Sequence, residues 1–100
     1  MENKSIYITL DHMDLFIDNP GFFQVGDELN LKKEKNNEYD DEAIVASKEN
    51  MKSAYVANSV STVARGTFSA GRIYDLIEEE ARCIIRFILV ESDVMIAELI

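Results

Sequence analysis

Asn36, Asn37, Tyr39 and Asp40 fall close together in the stretch "KNNEYDDEAIV", residues 35–45. A phenol ring offers a flat face for stacking on a base, and two side-chain amides offer paired donors and acceptors. A carboxylate accepts a hydrogen bond from a hydroxyl. That combination suits a nucleobase with its sugar. The same order of residues is also good turn chemistry, because Asn and Asp side chains hydrogen-bond the backbone just ahead of them. The residues alone leave both readings open. Lys33, Lys35 and Lys52, with Lys32 beside them, are the candidates for phosphate contacts.

Other reactive residue types lead less far. His12 sits between Asp11 and Asp14, a neighbourhood that suits a general base or a metal ligand. On a strand, however, Asp11 and His12 point to opposite faces, and no second ligand lies nearby, so a surface histidine is expected. Cys83 lies in an apolar run, where a thiol is expected as a small core residue. As the single cysteine it makes no internal disulfide, and no Cys/His cluster suggests zinc. "GTFSAGR" lacks the lysine and the spacing of a phosphate-binding loop. Glu38, Asp40, Asp41 and Glu42 lack the alternating oxygen ligands and the glycine of a calcium loop, so a solvated acidic turn is expected. No enzyme, metal or cofactor is called for.

The charge bears on partners. With 19 acids against 10 bases the chain carries −9, which opposes a polyanion at long range. The first fifty residues hold 12 acids and 5 bases, the last fifty 7 and 5, so a polyanion would approach the C-terminal half or a local basic patch. A hydrophobic fraction of 47% in 100 residues suits a single globular domain over residues 1–100. No apolar run approaches the roughly 20 residues of a membrane helix, and "MENKSIYITL" does not resemble a signal peptide. A reduced, cytoplasmic protein is expected.

The elements that must position these residues are mostly strands. "SIYITL" reads as a first strand running on toward Phe16, followed by a turn at Asn19-Pro20-Gly21. "QVGDELNLKKEK" is a second strand, bent at Gly26-Asp27, with Leu29 and Leu31 on one face and Glu28, Asn30 and Lys32 on the other. "EAIVAS" is a third, turned at "KENMK" into a fourth, "SAYVA". Asn58 is expected to cap a short helix over "SVSTVARG" that ends at Gly66. Residues 67–80 are ambiguous, with helical spacing at Ile73, Leu76 and Ile77. "RCIIRFILV" then reads as a buried strand, and "ESD" turns it back into "VMIAELI". Five or six short strands with one helical insertion predict an all-β fold, a small, strongly curved β-barrel.

Two blocks, "FQVGDELNLKKEKNNEYDDEAIVA" and "MKSAYVANSVSTVA", resemble the HIRAN domain. The specific part is Glu34 to Ile44, which follows that family's Glu-x-x-Asn-x-Tyr-Asp-x-x-Ala-(Ile/Val) segment. The strand at Ala54-Tyr55-Val56 supports it, and the likeness spans about residues 5–65. The resemblance implies an OB-like or SH3-like barrel, found both fused to fork-remodelling translocases and as small stand-alone bacterial proteins. It also implies binding of single-stranded DNA that ends in a free 3′-hydroxyl. Tyr39 would then stack on the terminal base and Asp40 would accept from the hydroxyl. Asn37 would reach a base edge or the backbone, and Asn36 would shape the loop. The chain departs from the family at Ala54, where glycine is usual, and at Glu38, where proline is frequent. "LDHMDLF" replaces a first-strand region that carries an arginine and aromatics in DNA-binding members. The alternative is a protein-interaction or self-associating barrel that has lost DNA. Its support is the −9 charge and an apolar terminal strand, "VMIAELI", whose open edge would pair with a second copy.

Overall fold

The computed structural model describes residues 5–11, 21–49 and 51–100. Six strands form a closed antiparallel barrel: β1 (Tyr7–Asp11), β2 (Glu28–Lys33), β3 (Ile44–Lys48), β4 (Met51–Val56), β5 (Glu80–Leu89) and β6 (Val94–Leu99). Their order around the barrel is β1-β4-β3-β2-β5-β6, and β6 closes on β1 through Tyr7↔Glu98 to Leu10↔Met95. The fold expected from the sequence is therefore the one observed.

Period-two patterning builds it. On each strand alternate residues point inward: Ile8 and Leu10, Leu29 and Leu31, Ile44 and Ala46, Ala54 and Val56, Cys83 and Ile85, Met95 and Ala97. Small residues among them let six short strands curve tightly around a filled interior. Irregularities at Ala46/Ser47 and Ile85/Phe87 add the local bend such closure needs. The expected kink before β2 is present: Gly26 has φ +98° and its N–H bonds Ile85 O at 2.8 Å. The "KENMK" hairpin forms with Lys48 opposite Met51 and Glu49 at φ 53°.

Three expectations meet a different outcome. The helix over 59–66 does not form. Thr62 N and Val63 N both bond Ser59 O at 2.9 Å, giving one turn that goes no further. Val60, Ser61 and Thr62 are exposed, so such a helix would have no apolar face to bury, and its β-branched residues favour it little. The helix instead is α1 (Ala70–Ile73), capped by Ser69 Oγ accepting from Arg72 N, and it adds Ala70 and Ile73 to the core. Second, β6 has no open edge, because it lies between β1 and β5, so strand addition at "VMIAELI" is unavailable. Third, "RCIIRFILV" forms β5 but is not a buried strand: Cys83 and Ile85 enter the core, while Phe87 and Leu89 are exposed. The expected continuation of β1 toward Phe16, with His12 and Asn19-Pro20, lies outside the described residues.

The segment after β4 folds back over β1. Phe68 N bonds Tyr7 O at 2.7 Å, and Thr9, buried, meets Thr67 hydroxyl to hydroxyl at 2.7 Å. Thr67 donates its proton to Ala64 O, so Thr9 donates to Thr67 and in turn accepts from Ala64 N. This clasp fixes residues 57–68 beside the loop that joins β2 to β3. Between them lies a cleft.

Candidate functional site

The cleft measures about 770 Å³ and is lined by Asn37, Tyr39 and Asp40 from the β2–β3 loop, Tyr55 from β4, Asn58 and Thr62 beyond it, and Asp11 at the end of β1. Register explains its floor. Asp11 pairs with Tyr55 across β1 and β4, so both side chains face the same outer side of the barrel. Ala54 and Val56, one residue either way, point into the core.

The loop that forms one wall is built largely by its own polar side chains. Asn37 Oδ1 accepts from Tyr39 N at 2.8 Å and Asp40 N at 2.9 Å, while its Nδ2 donates to Glu34 Oε1 at 2.8 Å. Tyr55 OH donates to the same Glu34 oxygen at 2.8 Å, which ties the loop to the barrel wall. Asp40 Oδ1 accepts from Glu42 N at 2.8 Å, and Asp40 Oδ2 from Asn58 Nδ2 at 2.9 Å. Asn58 Oδ1 accepts from Gly71 N at 2.8 Å. That last bond settles which way the Asn58 amide faces, because its oxygen must meet an N–H and its nitrogen must then meet Asp40. The Asp40 carboxylate is thus held by two donors and keeps a further acceptor position on each oxygen.

Tyr39 is the exception to this inward bonding. Its backbone is pinned by Asn37, yet the residue is 94% exposed. A ring presented to solvent from a braced loop contributes no core burial and offers both faces.

Of the residues singled out from the sequence, the structure brings Asn37, Tyr39 and Asp40 into one cleft. Asn36 is exposed and outside the lining. Lys33 and Lys35 also lie outside it: the Lys33 ammonium sits 4.5 Å above the Tyr74 ring, and Lys35 pairs with Glu79 at 2.5 Å. That pairing raises the Lys35 ammonium and lowers the Glu79 carboxyl from their ordinary values. The side chain of Lys52 lies outside the described residues. Asp11, Tyr55 and Asn58 were not singled out as site residues. Asn58, expected to cap a helix over 59–66, instead accepts from the N–H of Gly71 in α1, whose N-cap is Ser69. A signal for Tyr55 existed, since strand alternation around Ala54 and Val56 turns its ring outward.

The lining is acidic and aromatic. It carries the carboxylates of Asp11 and Asp40 and, among the described residues, no lysine or arginine. Among the described residues no group of three or more His, Cys, Asp or Glu is arranged to hold a metal ion, and no helix is long and apolar enough to cross a membrane. Cys83 is fully buried in the barrel, and burial pushes its thiol up to about 12, far from any reactive range. Rings, amides and a fixed carboxylate thus share one lining. Comparison of the chain with protein-family models, curated proteins and solved structures finds no match in any of the three.

Proposed function

We propose that the cleft binds the end of a single-stranded DNA that carries a free 3′-hydroxyl, as the HIRAN resemblance implies. Tyr39 stacks on the terminal base, and Asp40 accepts the hydrogen bond of the terminal hydroxyl. The observation that carries this reading is the pairing of an almost fully exposed ring with a carboxylate held by two donors, on one cleft. The volume lies in the range of about 300–1,000 Å³ typical of small-ligand sites. The acidic lining also has a sense here. A hydroxyl can donate to Asp40, whereas a terminal phosphate would bring its charge against Asp11 and Asp40. Asn37 supports the site through the loop, since its oxygen is taken by two backbone N–H groups.

The chain contains no tryptophan, so Tyr39→Trp installs a single reporter where stacking is expected. Its emission should fall on addition of a short single strand with a 3′-hydroxyl. Tyr39→Ala should weaken binding by about 5- to 150-fold, the range for a lost base-stacking contact of about 1–3 kcal/mol. Emission unchanged by any strand at low salt contradicts the reading.

A second reading, a barrel that binds a protein partner, is favoured by the same acidic lining together with the net charge of −9. It would pair the cleft with a basic segment. In a competition assay a lysine- and arginine-rich peptide, but no DNA strand, would then occupy it.

A further inference from the structure

Two groups of cations can be told apart among the described residues. Lys35, Lys48, Arg82 and Arg86 each pair with a carboxylate: Glu79, Asp27, Glu28 and Glu98 respectively. Arg72 and Lys33 lie over rings, as Lys48 also does over Phe22. The Arg72 guanidinium lies 4.2 Å from the centre of the Phe68 ring, and the Lys33 ammonium 4.5 Å from that of Tyr74. A ring supports a cation without neutralising it, and stacking leaves the donors at the guanidinium edge directed outward.

Chain connections lead from the cleft to Arg72 and then, past the end of α1, to Lys33. Asn58, in its lining, bonds Gly71 N at 2.8 Å, and Arg72 is the next residue of α1. Tyr74, at the end of that helix, carries Lys33. Lys33 in turn precedes Glu34, whose carboxylate braces Asn37 and Tyr55 in the cleft wall. One carboxylate stands at the crossing from cleft to helix. Glu42 Oε1 lies 3.4 Å from Asn58 Nδ2, and a Cβ at Gly71 would come within 2.6 Å of it.

We propose that a single strand whose end occupies the cleft leaves it across α1, with Arg72 and then Lys33 taking its backbone phosphates and Glu42 opposing them. This rests on the end-binding reading, and it names the phosphate contacts that the cleft itself lacks. Lys35, paired with Glu79, takes no part.

The test separates the two ideas by what each variant changes. Binding of an eight-nucleotide strand is measured by fluorescence anisotropy across a salt series, with a 3′-hydroxyl and with a 3′-phosphate. Arg72→Gln and Lys33→Gln should each weaken binding several-fold and flatten the dependence of log affinity on log salt by about 0.7, the value for one lost contact to a single strand. Both should keep the preference for the hydroxyl end. Arg72→Lys should restore the salt slope, Glu42→Gln should raise affinity, and Lys35→Gln should change neither. Wild-type slope and affinity in both glutamine variants overturn the track while leaving end binding intact. Loss of the hydroxyl preference in the wild-type protein, or no binding at all, overturns the end-binding reading and the track with it.

Discussion

Replacing Asn37 by alanine should destabilise the fold, while the same change at Asn36 should not. Asn37 makes three hydrogen bonds: it accepts from Tyr39 N and Asp40 N and donates to Glu34 Oε1. A net contribution of about 0.5–1.5 kcal/mol each gives about 1.5–4.5 kcal/mol in all. The Tyr39 N–H is exposed and regains a water partner in the variant, whereas the Asp40 N–H and Glu34 are partly buried. A loss of about 1–3 kcal/mol is therefore expected, or roughly 4–8 °C of melting temperature per kcal/mol in a domain of this size. Asn36 is exposed, and its removal should stay within about 0.5 kcal/mol. Urea unfolding measures both, and an unchanged m-value in Asn37→Ala would show that the loss is one of stability alone. Asn37→Asp keeps the two acceptor bonds but sets a second carboxylate against Glu34, so it should fall between alanine and wild type at low pH and approach alanine at neutral pH. If Asn37→Ala were as stable as Asn36→Ala and yet lost ligand, Asn37 would be a contact residue and the loop-bracing argument would be wrong.

Two further predictions concern the barrel. The Lys48 hydrogen bond to Asp27 at 2.8 Å, helped by the Gln24 N–H and opposed by burial, holds the Asp27 carboxyl below its ordinary 3.8. The unfolded chain then binds the extra proton, so this contribution is complete above the ordinary value and is lost as pH falls through the lower folded one. Asp27→Asn should flatten the fall of stability below about pH 4, and an unchanged acid-unfolding profile would count against the pairing. Cys83, buried with its thiol pushed up to about 12, should resist an aromatic disulfide reagent at pH 8 in the native protein and react once urea unfolds it. Prompt native labelling would mean that the barrel opens locally.

The barrel was legible where alternation is clean, which it is not in β5, whose apolar run leaves Phe87 and Leu89 exposed. Leu29/Leu31 and Met95/Ala97 alternate with polar or surface residues, and that period needs no knowledge of partners. Closure is less legible: nothing in "VMIAELI" tells whether it has one neighbour or two, and only the pairing with both β1 and β5 removes its edge. The helix was misplaced for a related reason. "SVSTVARG" and "SAGRIYDL" both carry a polar cap and a following apolar residue, but only Ala70 and Ile73 meet the core. Such short helices are decided by tertiary burial rather than by local preference.

The site divides in the same way. Tyr39 and Asp40 stand out by type, and the structure sets them together on one cleft. The turn in "NNEYD" is supplied by the Asn37 side chain, and Tyr39 remains exposed beside it. Tyr55, Asn58 and Asp11 come from elements 15 to 30 residues away, so their convergence depends on strand register and on the clasp through Thr9 and Thr67. The cations follow the same logic. Lys35 looks available in the sequence but pairs with Glu79, whereas Arg72, which lacks basic neighbours in sequence, is held over Phe68.

The most direct test of the central claim compares two otherwise identical labelled single strands, one ending in a 3′-hydroxyl and the other in a 3′-phosphate, by fluorescence anisotropy with the wild-type protein at low salt. A terminal phosphate facing Asp11 and Asp40 should cost at least about 1.4 kcal/mol, so the hydroxyl strand should bind about tenfold or more tightly. Equal affinity for the two strands, or binding to neither, would contradict end recognition by this cleft.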